Sequence, residues 1–173
     1  MIKNMAVAGI GVILLTIGLT WADAPATSPA ATAPATTQIG GVTWTDDYDQ
    51  ALIDAKRDGM KVLLDFTGSD WCQPCIALKK NVLTSDAFNA WAKGKIICVE
   101  LDYPHNVPQS DELKARNKRV LTAYNGNMMA VYPTVIILDS NGKEIGRNNG
   151  YNPAAPISPA DWIALMEKKM AAK

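Results

Sequence analysis

Cysteine is scarce in this chain, with three residues in 173, too few for a small domain stapled by disulfides. Histidine is scarcer, and His105 stands alone. A tetrahedral metal site needs four ligands, or three and a water. Beyond one close cysteine pair only Cys98 and His105 remain to supply them, so no metal is expected. An excess of either charge is also missing, because 17 Lys and Arg offset 17 Asp and Glu. Without a basic surface there is no electrostatic footprint for a phosphate backbone, which excludes nucleic acid as a partner. The length fits one domain with a conventional core plus some non-globular sequence.

Charge is thinnest at the start, where Lys3 is the only charged residue before Asp23 and Met5 to Ala22 is almost wholly apolar or small. A short positive region, an apolar run and small residues at its end describe a secretory signal over residues 1–22, cut after Ala22. An uncleaved membrane anchor is the alternative, since about 18 apolar residues nearly span a bilayer. Membrane attachment is expected only in that case; otherwise the protein is periplasmic or similarly exported. No cysteine stands near the cut, which excludes a lipid anchor. Residues 23–40 follow, rich in Ala, Thr and Pro from Ala24 to Gln38, and read as a flexible tether. The globular domain is expected over residues 41–173.

Within that domain Thr45 is placed to cap a helix to Asp58, with Tyr48, Leu52, Ile53 and Ala55 as its apolar stripe. Lys61–Phe66 reads as the first core strand. A helix follows, pauses around Asn81 to Leu83, and resumes from a Thr84 or Ser85 cap until Gly94. Ile96–Leu101 is a second strand, Tyr103–Gln109 a loop with two prolines, and Ser110 caps a polar helix to about Tyr124. Pro133–Leu138 makes a third strand, joined through Ser140-Asn141-Gly142 to a hairpin partner, Lys143–Gly146. Ser158-Pro159-Ala160-Asp161 opens the last helix, with Trp162, Leu165 and Met166 inward. The fold class is α/β, a mixed sheet flanked by helices in a single domain.

The densest chemistry lies in Trp71-Cys72-Gln73-Pro74-Cys75, directly after the first strand and at the start of a helix. Residues three apart on a helix share a face, so the two sulfurs can reach disulfide distance without distorting the backbone. Unpaired N–H groups at a helix start favour a thiolate on the first cysteine. Outside the cytoplasm such a pair is suited to exchange with protein disulfides.

This pair, the element order and the Tyr132-Pro133-Thr134 triplet ahead of a strand together resemble the thioredoxin family. More narrowly, Leu64 to Cys72 and the Leu138 to Lys143 hairpin are similar to secreted thioredoxin-like proteins related to the periplasmic reductase domain of thiol-disulfide interchange proteins. The resemblance covers about residues 42–171. It implies that Cys72 is an exposed attacking thiolate and Cys75 the resolving thiol. It also implies that Pro133 follows a cis peptide bond, turning the Tyr132 backbone toward an incoming peptide. Trp71, Gln73, Pro74, Tyr132 and Pro133 are then the substrate-binding set. The family's buried acid lies six residues before the first cysteine, where this chain has Phe66. Asp65, one residue further back, is taken as that acid, a proton relay for Cys75. Two features depart from the family pattern. Asn125 to Met129 looks like an inserted loop, and Glu100 stands about where thioredoxins carry a lysine.

The implied reaction is thiol–disulfide exchange, with no cofactor, on protein substrates that carry disulfides and with an upstream dithiol protein as electron donor. Strongly oxidising relatives carry a histidine between the cysteines; Gln73-Pro74 offers no such charge, which favours a reductase. Two other classes stand beside it. One is a thioredoxin-fold binding module without turnover. The other is a copper-handling protein that joins Met128 and Met129 to the cysteine pair, thioethers being suited to Cu(I). Cys98 reads as a buried core thiol, His105 as an exposed loop residue and Asp70 as solvated.

Overall fold

The computed structural model describes residues 34–125 and 131–172. Six strands form one mixed sheet in the order β1-β2-β4-β3-β5-β6. They are β1 (Thr36–Ile39), β2 (Val42–Thr45), β3 (Lys61–Thr67), β4 (Ile96–Asp102), β5 (Thr134–Leu138) and β6 (Glu144–Asn149). Strand β3 lies inside the sheet, parallel to β4 along its whole length and antiparallel to β5. Both of its edges are therefore paired, and both faces are covered as well, since six consecutive residues from Val62 to Thr67 are buried.

Alternation along these strands sends side chains to two separate cores. Val62, Leu64, Phe66, Ile97, Val99 and Leu101 pack against α1 (Tyr48–Asp58) and α4 (Asp111–Asn125). Leu63, Ile96, Cys98, Val135 and Ile137 face the other way. They meet Leu78 of α2 (Gln73–Leu78), Phe88 and Ala92 of α3 (Asp86–Ala92), and Trp162 and Met166 of α5 (Pro159–Ala171). The result is the expected sheet flanked by helices in one domain.

Several element ends follow from local chemistry. Helix α1 is capped by Asp47, whose carboxylate accepts the Gln50 N–H, instead of by Thr45. Thr45 is the last residue of β2, and its hydroxyl accepts the Asp47 N–H. Gly59 ends α1 at φ 66°, a conformation that favours glycine. The expected pause after α2 is a π-helical turn, Lys79–Leu83, and Ser85 then caps α3 through its hydroxyl. Ile53 departs from the expected stripe and is 60% exposed. It sits about 100° around the helix from Leu52, while Ala51 and Ala55 take the inner face.

The N-terminal boundary also differs. Thr36–Ile39, expected within the tether, pairs with Val42–Thr45 as a hairpin around Gly40-Gly41. Both glycines have positive φ, 57° and 82°, as a two-residue hairpin turn of this hand requires. Its inner strand runs parallel to β4, with Trp44 opposite Cys98, and buries Trp44 against the Phe88 ring. Residues 1–22 lie outside the described residues, as does most of the tether.

Candidate active site

Strand β3 ends at Thr67, and Gly68 to Trp71 form the loop that delivers the cysteines to α2. Three contacts set this loop. A side chain at Gly68 would collide with the Trp71 indole, so glycine lets that ring lie over the backbone. The Trp71 Nε1–H donates to the Tyr103 carbonyl at 2.7 Å. Ser69 donates both its N–H, at 2.8 Å, and its hydroxyl, at 2.7 Å, to the two carboxylate oxygens of Asp102.

Cys72 is the N-cap of α2, and Cys72 and Cys75 form a disulfide with Cα atoms 5.3 Å apart. The Cys75 N–H donates to Cys72 Sγ at 3.3 Å, so a charge on that sulfur would meet a donor already in place. Pro74 lies in the first turn, where its missing N–H costs nothing. Gln73 is exposed. Cys72 itself is only 4% exposed, against the expected open thiolate, because in the oxidised pair its sulfur is turned onto Cys75. The Tyr132–Pro133 bond is cis. Pro133 is buried, Tyr132 is half-buried, and the Tyr132 ring meets the Trp71 ring edge-on at 5.4 Å. Residues 61 positions apart in the chain thus share one wall of the site.

Asp65 lies on the same face of β3 as Leu63, the side covered by α2. It is 2% exposed, and its Oδ1 has no hydrogen-bond partner among the described residues. Burial pushes its carboxyl up to about 7; the negative charges of Glu100 and Asp102 add to the rise, and Lys79 opposes it. Lys79, on the π-helical turn, pairs with Glu100 of β4 at 2.5 Å. Thus Glu100, standing where the resemblance led to a lysine, is partnered by a lysine from the helix above. Cys75, Thr67, Lys79 and Glu100 line a cavity of about 300 Å³, through which water can reach this polar face. Cys98 is fully buried in the core, its thiol pushed well up by burial and then by the Asp65 charge.

Sequence reasoning missed the tie between the active-site loop and Tyr103–Asn106. Asp70, expected to be solvated, accepts the backbone N–H groups of His105 and Asn106 at 2.9 and 2.6 Å, which hold its carboxyl below the usual range. His105 is exposed, but its ring stacks on Trp71 at 4.6 Å and 6°. No periodicity or motif links positions over 30 residues apart in this way. Among the described residues no group of three or more His, Cys, Asp or Glu is placed to hold a metal ion. Met128 and Met129 lie outside the described residues.

The sheet order, the helix-start disulfide and the cis proline beside it define a thioredoxin-like fold. The chain belongs to the thioredoxin-like family, whose model matches residues 43–140. It is 32% identical over 108 residues to the disulfide bond reductase DsbH of Chlamydia pneumoniae, covering 62% of this chain and 63% of that protein. It is 33% identical over 106 residues to the thioredoxin-related protein DsbJ of the same organism, covering 61% of this chain and 30% of the relative. The chain therefore spans less than two thirds of either relative's length. A solved structure of a DsbH oxidoreductase superposes with a TM-score of 0.65 at 27% identity, covering 77% of this chain and 87% of that one.

Proposed function

We propose that this protein is an exported thiol–disulfide oxidoreductase that reduces disulfides in other proteins through Cys72 and Cys75. The observation that carries the reading is the Cys72–Cys75 disulfide at the start of α2, in the loop that also carries Trp71. In the reduced enzyme the Cys72 thiolate attacks a substrate disulfide, forming a mixed disulfide and releasing one substrate thiolate. Cys75 then attacks Cys72 Sγ, which releases the second substrate thiolate and regenerates the oxidised pair. The proton leaving Cys75 passes to Asp65, directly or through water in the adjoining cavity, and a carboxyl near pH 7 suits both taking and releasing it. Trp71, Gln73, Pro74, Tyr132 and Pro133 receive the substrate backbone. Electrons return from an upstream dithiol protein. No organic cofactor enters this cycle.

The reductase direction rests on Gln73 and Pro74. Neither carries a positive charge to stabilise the Cys72 thiolate, and so the reduced form, strongly. The Chlamydia relative, named a disulfide bond reductase, supports this direction. Equilibration with a glutathione or dithiothreitol redox buffer measures the potential. A value well below the about −120 mV of a strong oxidant is expected, and a value near it would overturn the direction. Exchange itself is tested by trapping. Cys75→Ser should accumulate mixed disulfides through Cys72, while Cys72→Ser should not accumulate the same species; identical partner sets from both would favour a binding module without turnover.

A further inference from the structure

The wall beside the disulfide holds more aromatic surface than exchange chemistry requires. Starting at Cys72, its chain neighbour Trp71 meets two rings. His105 stacks face-on at 4.6 Å, and Tyr132, next to the cis proline, meets it edge-on at 5.4 Å. Tyr103 continues the series, with its ring 5.6 Å from Tyr132. Against these rings the loop after β4 opens a hollow of about 600 Å³, lined also by Pro104, Val107 and Pro108. That is room for one or two large side chains. Val107, in the hollow, is 57% exposed and Val131, just before Tyr132 in the chain, is 53% exposed.

This surface is held in place. Asp70 takes the His105 and Asn106 N–H groups, and Trp71 donates to the Tyr103 carbonyl, so three hydrogen bonds clamp Tyr103–Asn106 to the cysteine loop. The charges near the hollow are already engaged. Asp70 spends both carboxylate oxygens on those N–H groups, and Lys114 at the rim pairs with Asp111 at 3.2 Å. A visitor gains by presenting a ring or a large apolar group.

We propose that His105 is a specificity-determining residue and Asp70 its positioning residue: with Trp71 and Tyr132 they form a subsite for an aromatic or large apolar side chain flanking the substrate cysteine. The inference deepens the exchange reading and takes its substrate class, protein disulfides, from it. His105 covers one face of Trp71 and offers its own ring to the hollow, and Asp70 holds the backbone that carries the imidazole.

The test uses two disulfide peptides identical except for Phe or Ser beside the cysteine. The full chain should prefer the Phe peptide in kcat/KM, chiefly through KM. In His105→Ala that preference should drop about fivefold, the loss of one aromatic contact, and Asp70→Ala should lower it in the same direction. His105→Phe, which keeps a stacking ring, should retain it. A merely structural role would weaken both peptides alike and leave the ratio unchanged. Calorimetric binding of the same pair, with Ser in place of the peptide cysteine, to the Cys72→Ser/Cys75→Ser variant reads the subsite without turnover. A His105-dependent Phe preference there, with no exchange by the unmodified protein, would sink the exchange reading and leave the subsite standing. Exchange without any Phe preference, or a preference untouched by His105→Ala in both assays, overturns the subsite.

Discussion

Asp65 shows how strongly one side chain depends on its surroundings. As a sequence position it is an acid in an apolar strand. In the structure it is unpaired at Oδ1, and burial raises its carboxyl to about 7, with Glu100 and Asp102 adding to the rise against the pull of Lys79. Asp65→Asn removes the proton acceptor, and release of substrate from the Cys72 mixed disulfide should slow by about 100-fold or more at pH 7. Stopped-flow measurement of that single step, separate from the initial attack, checks it; an unchanged rate would remove Asp65 from the proton path. Gly68 makes the opposite kind of demand, for empty space. Gly68→Ala would push against the Trp71 indole and should cost about 1–3 kcal/mol. Denaturant melts should record the loss, together with a change in the near-ultraviolet signal of Trp71. Neither demand is written in the residue type, since both come from the groups that folding packs against the residue.

Elements place these groups. The π-helical turn after α2 carries Lys79 to Glu100 of β4, and the pair straddles two forces on Asp65. Opposite shifts are therefore expected from its two ends. Lys79→Met removes the stabilising positive charge and should move the Asp65 titration upward, while Glu100→Gln should move it downward. Carbon-detected NMR of the Asp65 carboxyl follows both; shifts of the same sign would refute this account. The β1–β2 hairpin carries a different lesson. Gly40-Gly41 is a turn signal, but Thr-rich flanks read as tether because β1 is exposed along most of its length. Its pairing and the burial of Trp44 only become visible once β4 lies beside β2. Gly40→Ala forces a side chain into positive φ against Asn89. It should destabilise the fold by about 1–3 kcal/mol and leave the reduction potential unchanged.

For the molecule as a whole, the buried acid makes the stability of the oxidised protein depend on pH. Asp65 titrates at its ordinary value of 3.8 when unfolded and at about 7 when folded. Below the lower value both states are protonated and the burial carries no electrostatic cost. Between the two, the folded state binds the extra proton, so stability falls as pH rises and levels off above about 7. The loss is on the order of 2–4 kcal/mol. Urea denaturation of the oxidised protein at pH 4 and pH 8 should show it. Asp65→Asn should abolish most of the difference, stabilising the protein at the higher pH. Among the described residues no helix is long and apolar enough to cross a membrane.

The cysteine pair, the helix beginning beneath it, the core strands and the proline ahead of β5 were all legible in the linear chain. Each depends on residues a few positions apart, whose spacing dictates which face or turn they occupy. The fold class followed from their order. Which partners those residues meet was not legible. The stack of His105 on Trp71, the hold of Asp70 on the Tyr103–Asn106 loop and the Lys79–Glu100 pair over Asp65 join groups far apart in sequence. Such contacts arise when the sheet aligns β3 with β4 and brings their loops to one end, and it is there that charges, rings and cavities acquire their chemistry.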